Sequence, residues 1–393
     1  MEREYEYLLS VLGDYPQGRR PKAAQGVDWE KLVQLSQIHC VTGILGSMAM
    51  QYPICPNDEI KAGLRQVCLS TMAMFAQRAK RMEELICRME QAGIQHILMK
   101  GYVLREYYPV PELRTYGDID FVIRQSDREK SDGMMMELGF HREADWEPVY
   151  SYTRDMEYYE VHADIMEVDV SDRADYRGYF RQMWQHIRPG DEFSCQFTPE
   201  FHFLYLLTHI AKHIRGSGAG ARMYLDIAVF IRHFEGKLDW ESVQRELRKL
   251  ELYDFACVVL EAVEQWFGVS SPMPRRPVAQ EVMTEFVIFT MEAGVYGYFH
   301  RESGISALKQ TGQTQSAARG KLVLQRWFPP AAQISNRYTY LQKRPWLLPV
   351  AWVHRVVKNR KRIGEEVHDT QVILSADTGE VSRLQKLQRD IGL

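Results

Sequence analysis

Met99-Lys100-Gly101, followed by Arg114-Thr115-Tyr116-Gly117-Asp118-Ile119-Asp120-Phe121-Val122-Ile123, is the stretch from which the fold is read. Ile94 to Met99 has the composition of a short buried strand. Gly101 opens a helix over 101–108, which Pro109 stops, and Asp118 to Ile123 forms a second strand. Residues two apart on a strand share a face, so Asp118 and Asp120 project together. Ile119, Phe121 and Ile123 then point the other way, into apolar packing. Two neighbouring carboxylates repel at neutral pH, and a bound cation relieves them. Oxygen ligands suit Mg²⁺, and Mg²⁺ suits phosphoryl chemistry. Gly101 at a strand-to-helix junction permits close backbone approach to a phosphate, and a helix N-terminus favours negative charge.

A third carboxylate must come from another strand. In Tyr158-Tyr159-Glu160-Val161-His162-Ala163-Asp164-Ile165, within a strand expected over about 157–166, alternation puts Glu160, His162 and Asp164 on one face. Either acid could complete the site. A preceding strand, about 148–153, should pair with this one as a hairpin across Arg154-Asp155. Between the aspartate strand and the hairpin, a helix is expected from Ser126 to about Leu138.

Thr198-Pro199-Glu200 opens a helix running to about Ile214, with Thr as N-cap and Pro at the first helical position. His209 and His213 lie at i and i+4 on it and face one side. They lack the glutamate of a zinc-protease motif. One reading makes them a polar helix boundary. The other makes them a wall over the site, where with Lys212 and Asp226 they touch phosphate, ribose or acceptor. The Gly216–Gly220 loop has no Lys-Ser/Thr ending and reads as a flexible linker rather than a P-loop.

Lys100-Gly101, Arg114, Gly117-Asp118-Ile119-Asp120, Glu160-Val161-His162 and His209/His213 … Asp226 together resemble the DNA-polymerase-β-like nucleotidyltransferase superfamily. Within it they look like a bacterial branch of largely uncharacterised nucleotidyltransferases, over about residues 28 to 270. The resemblance implies an α+β fold: a small mixed β-sheet core with helices, flanked by N-terminal helices and a C-terminal helical domain. It favours Glu160 over Asp164 as the third carboxylate. It implies Mg²⁺, two ions, with Asp118 and Asp120 on one and Glu160 joining them on the other. Lys100, Gly101, Arg114 and Gly117 would bind the nucleotide, with Lys100 or Arg114 neutralising the leaving group. Lys100 itself departs from the small residue usual beside that turn. The implied activity moves a nucleoside monophosphate from an NTP to an acceptor hydroxyl or phosphate, releasing pyrophosphate. The acceptor (a small molecule, a sugar or peptide intermediate, or a protein side chain) is left open. The rival from a different class is a non-catalytic nucleotide-binding or regulatory interaction protein, in one form membrane-peripheral.

The rest of the chain sets bounds. Its 393 residues, 45% hydrophobic and 26% charged, suit a globular protein of several domains. The expected division is a helical region over 1–92, the α/β core over 93–172, and a helical domain packing over the site at 173–270. A C-terminal helical region follows over 271–393. In the first region Asp28 caps a helix to about Ala49, and Asn57-Asp58 starts a longer one ended by Gly93. A net charge of −3 argues against a nucleic-acid partner. The six scattered cysteines, with no C-x-x-C pair, fit reduced thiols, and the N-terminus lacks a signal-peptide pattern. A cytoplasmic protein is expected. Residues 343–362 hold seven Lys and Arg and no acid, interleaved with Trp346, Trp352 and valines. Packing on the helical domain is favoured there over contact with an anionic membrane surface.

Overall fold

The computed structural model describes residues 2–23, 25–146, 149–155, 157–166, 170–188, 192–216, 218–294, 316–334, 338, 340–358, 364, 367, 370–371 and 378–393. Four helices open the chain: α1 (Arg3–Asp14), α2 (Trp29–Ile38), α3 (Thr42–Gln51) and α4 (Asp58–Gln91). Asp28 caps α2 by accepting from the Glu30 and Lys31 amides, and Asn57 caps α4 in the same way. The single helix expected from Asp28 to Ala49 is instead two. Cys40 takes a left-handed φ of 53°, and the neighbouring backbone is used by distant elements. The buried His39 accepts from the Ala221 amide, while the Cys40 carbonyl accepts from the Thr115 hydroxyl. Those contacts are tertiary, and no local pattern announces them.

At 34 residues α4 is about 50 Å long. It reaches both of the molecule's main cores. Leu64 and Cys68 join the larger one, and Phe75, Met82, Leu85 and Met89 the smaller. α3 lies close along its first half, because Gly46 packs against the backbone there. A Cβ at that position would sit 2.5 Å from the Leu64 carbonyl oxygen.

The α/β part follows as β1 (His96–Leu98), α5 (Lys100–Leu104), β2 (Asp118–Ile123), α6 (Arg128–Glu137), β3 (His141–Trp146), β4 (Val149–Arg154) and β5 (Glu157–His162). With β6 (Ser194–Cys195) these strands make one mixed sheet in the order β3-β4-β5-β2-β1-β6. The β4–β5 hairpin forms as expected, and Asp155 in its turn takes a φ of 56°. β5 ends at His162, four residues short of the expected limit. β3 and β6 were not expected; β6 is two residues long and offers no periodicity to read. One sheet face, with Ile119, Phe121, Ile123, Tyr150, Tyr152, Tyr159 and Val161, packs under the second half of α4 and under α6. The opposite face carries Ile97 and Val122 into the larger core.

That larger core is built by α1–α3 together with α7 (Tyr176–Phe180), α8 (Pro199–Arg215), α9 (Ala221–His233), α10 (Trp240–Lys249), α11 (Tyr253–Phe267) and α12 (Gln280–Ala293). A last helix, Thr378–Asp390, docks on it through Leu384 and Leu387, joined by Ile391 just past its end. The basic segment builds its own small cluster of Ile334, Tyr338, Leu341 and Ala351, with Trp352 donating to the Pro329 carbonyl. Its helix Leu348–Lys358 leaves Val350, Val353 and Val357 exposed, beside an exposed Trp346. Residues 295–315, Ser217 and the expected basic residues Arg360, Lys361 and Arg362 lie outside the described residues. No helix among the described residues is long and apolar enough to cross a membrane.

Candidate active site

β2 and β5 run parallel with Asp118 opposite Tyr158, Asp120 opposite Glu160 and Val122 opposite His162. Because the pleat alternates, this register sets Asp118, Asp120, Glu160 and His162 on one face, turned away from the smaller core. Asp120, Glu160 and His162 each bring one donor atom to within 4.8 Å of the others. Asp120 is 2% exposed, and its Oδ1 is crowded. It accepts from Lys100 Nζ at 2.5 Å and from His162 Nε2 at 2.8 Å, and that Nε2 is also 3.5 Å from Glu160 Oε2. His162 Nδ1 is buried with no partner among the described residues.

Electrostatics follow this crowding. Burial pushes the Asp120 carboxyl up, but the Lys100 ammonium and the His162 hydrogen bond outweigh it and hold the group below the usual carboxylate range. Burial pulls Lys100 down, and Asp120, with help from Tyr205 and Asp118, raises it well above its ordinary value. Burial likewise opposes the charge on His162, while hydrogen bonds to Asp120 and Glu160 raise it. Asp118 moves the other way: the neighbouring Asp120 charge, then burial, push its carboxyl up. An anionic cluster that already draws the Lys100 ammonium and a His162 ring nitrogen, and still leaves Asp118 repelled, fits a divalent cation in its donor chemistry.

Lys100 reaches Asp120 from the first residue of α5, with a φ of 50° that side chains other than glycine rarely adopt. The expected helix over 101–108 is a five-residue turn of α-helix continued by a 3₁₀ turn. Gly101 is required here for a packing reason. A Cβ at this position would collide with the Arg114 guanidinium and with Tyr116. Arg114 and Asp226 are brought together, both buried, as a two-toothed pair: Nε to Oδ1 at 3.0 Å and Nη2 to Oδ2 at 2.6 Å. The Tyr108 hydroxyl donates to the same Oδ1 at 2.8 Å. This pair ties the β2 approach to α9. Gly117 contributes its carbonyl to Arg78 of α4, which also holds the Tyr116 carbonyl, so the entry into β2 is pinned.

His209 and His213 on α8 place their Nε2 atoms 3.1 Å apart, one sharing its proton with the other. Burial keeps both neutral, pushing His213 down to about 4 and His209 well below its ordinary value. The charges that add to this effect are Lys212 and Lys100 for both, and His162 for His209. α8 therefore faces the side of the sheet on which Lys100 and His162 lie. Asp164, the other acid weighed for the third position, lies beyond the end of β5, where its Oδ2 accepts from Arg181 at 3.1 Å. His162 was legible from its alternation with Glu160, yet only Glu160 was singled out as a ligand. Its direct bond to Asp120 depends on the β2–β5 register, which the sequence does not state.

The family described as "Uncharacterised nucleotidyltransferase" matches the chain over residues 25–268, a span that includes every residue of this site. The chain belongs to that family. No curated protein matches it. Among solved structures, the solution structure of the antibiotic-resistance factor ANT(2'')-Ia is similar at 9% identity with a TM-score of 0.33, covering 44% of this chain and 92% of that one. This member of the nucleotidyltransferase family is an enzyme with an α+β architecture, one mixed sheet and helices on both sides.

Proposed function

We propose that the protein transfers a nucleoside monophosphate from an NTP to an acceptor hydroxyl or phosphate, with Asp118, Asp120 and Glu160 as the carboxylates of a Mg²⁺ site that accommodates two ions. The observation that supports this most is the parallel pairing of Asp120 with Glu160, which gathers the acids of two strands on one face. Bound Mg²⁺ would supply Lewis-acid stabilisation of the phosphates and lower the pKa of an attacking hydroxyl. The protein's own share is positional and electrostatic. Lys100 meets the β- and γ-phosphate end as charge develops on the leaving pyrophosphate, and His209, His213 and Lys212 wall the site from α8. As the acceptor oxygen bonds to the α-phosphorus, the bond to the bridging oxygen breaks and pyrophosphate leaves with that electron pair. Arg114 and Asp226 support the nucleotide-binding turn at Gly101 through their mutual pair, which holds Arg114 against that glycine.

The acceptor is open by chemistry, and the experiment addresses it directly. Cell extract is incubated with the protein, Mg²⁺ and each of four α-phosphate-labelled NTPs. The reading expects label in one acceptor class, with a mass gain of one nucleoside monophosphate. Absence of incorporation from every NTP, with the protein folded, would remove the reading.

A further inference from the structure

We propose that Lys100 is a built-in counter-cation that closes the divalent-cation site until a triphosphate draws it away, so that metal binding is gated by nucleotide. The inference rests on the metal-site reading above and adds its regulation.

Three observations carry it. Lys100 Nζ sits on Asp120 Oδ1 at 2.5 Å, an oxygen that also accepts from His162 at 2.8 Å. Asp120 is the most buried acid of the cluster, so an ion reaching its carboxylate must share it with a fixed positive charge. The backbone of Lys100 is the second observation. A lysine held at a φ of 50° occupies a left-handed conformation that persists only where surroundings enforce it. That conformation projects the ammonium onto Asp120. Third, the His162 ring is buried, and its Nε2 serves Asp120 and approaches Glu160. Asp120 is thus engaged by two internal donors, the Lys100 ammonium and the His162 ring, and Glu160 lies beside the second.

The consequence is an order of events. A divalent cation alone meets the Lys100 charge and binds weakly. A triphosphate offers the ammonium a second anionic partner of higher charge, and Asp120 is released to the ion that accompanies it. Such gating limits occupancy of the site by stray divalent cations. It also makes metal and nucleotide affinity mutually reinforcing, because coupling between two ligands is reciprocal.

The test is Mn²⁺ binding to the full-length protein without nucleotide, followed by electron paramagnetic resonance of the free ion. Wild type, Lys100→Met and Lys100→Met/Asp120→Asn are compared. The methionine retains the apolar stem and removes the charge, and circular dichroism confirms the fold of each variant. Lys100→Met is expected to bind Mn²⁺ at least tenfold more tightly than wild type, and the added Asp120→Asn change to abolish that gain. Lys100→Arg, which restores the charge, returns affinity to the wild-type level or below. Equal or weaker binding by Lys100→Met would overturn the gate while leaving the metal site standing, provided that wild type binds Mn²⁺. If neither wild type nor Lys100→Met binds the ion, the metal-site reading fails and the gate with it.

Discussion

Among single residues, the buried Arg114–Asp226 pair and the half-buried acids Glu160 and Asp164 make different demands. Removing one partner of a buried ion pair strands the other, so Asp226→Ala is expected to cost about 3–5 kcal/mol in urea unfolding. Asp226→Asn, which keeps an acceptor for Arg114 and Tyr108, costs less. Asp164 is different: its partner Arg181 is largely exposed, and the pair contributes little. Glu160→Gln should therefore abolish most nucleotidyl transfer while Asp164→Asn stays near wild type, measured as pyrophosphate release. Comparable losses in both would unseat Glu160. The histidines set an acid limit. His213 is kept neutral in the fold with its pKa pushed down from 6.5 to about 4, so its contribution is present above pH 6.5. Between 6.5 and 4 the unfolded chain binds the proton first and stability is lost. Thermal denaturation of His213→Gln should show a shallower fall over that window than wild type; an identical slope would remove the histidine from the cause.

Elements were legible where a local signal specifies them. Asp28, Asn57 and Thr198 each cap the helix that follows, and each bonds an amide in its first turn. Asn57→Ala should lower stability by about 1 kcal/mol, read from the midpoint of denaturant unfolding. The alternation in β2, and in β5 as far as His162, gave the two faces of the sheet, since Ile119, Phe121 and Ile123 in one strand and Tyr159 and Val161 in the other fall on the packed side. What stayed hidden has a physical reason in each case. The α2–α3 break at Cys40 is bought by contacts to Ala221 and Thr115, far away in sequence. β6 pairs through only two residues, and β3 is rich in polar side chains at a sheet edge. The basic segment reads as one amphipathic helix, yet its apolar residues divide between a local cluster and exposed positions. Val350→Ser with Val353→Ser should leave the melting temperature unchanged, whereas Ala351→Asp, at a fully buried position, should disrupt the cluster.

On the scale of the whole molecule, a sheet with two differently used faces explains the arrangement. One face is sealed by α4 and α6, which fixes the strands. The other meets the helical core that includes α8, and the acids of β2 and β5 project on that side. The motif Gly-Asp-Ile-Asp was enough to place Asp118 and Asp120 on one face of one strand, as the structure has them. The register that unites Asp120 with Glu160 and His162, and the Lys100 contact, required the folded chain. The central claim is that this carboxylate face performs nucleotidyl transfer. Its most direct test is Mg²⁺-dependent pyrophosphate release by wild type, Asp118→Asn and Asp120→Asn, assayed with the labelled acceptor extract and any NTP that wild type uses. Each substitution should lower turnover by a factor on the order of 10² or more while circular dichroism stays that of wild type. Near wild-type turnover in either variant would contradict the account.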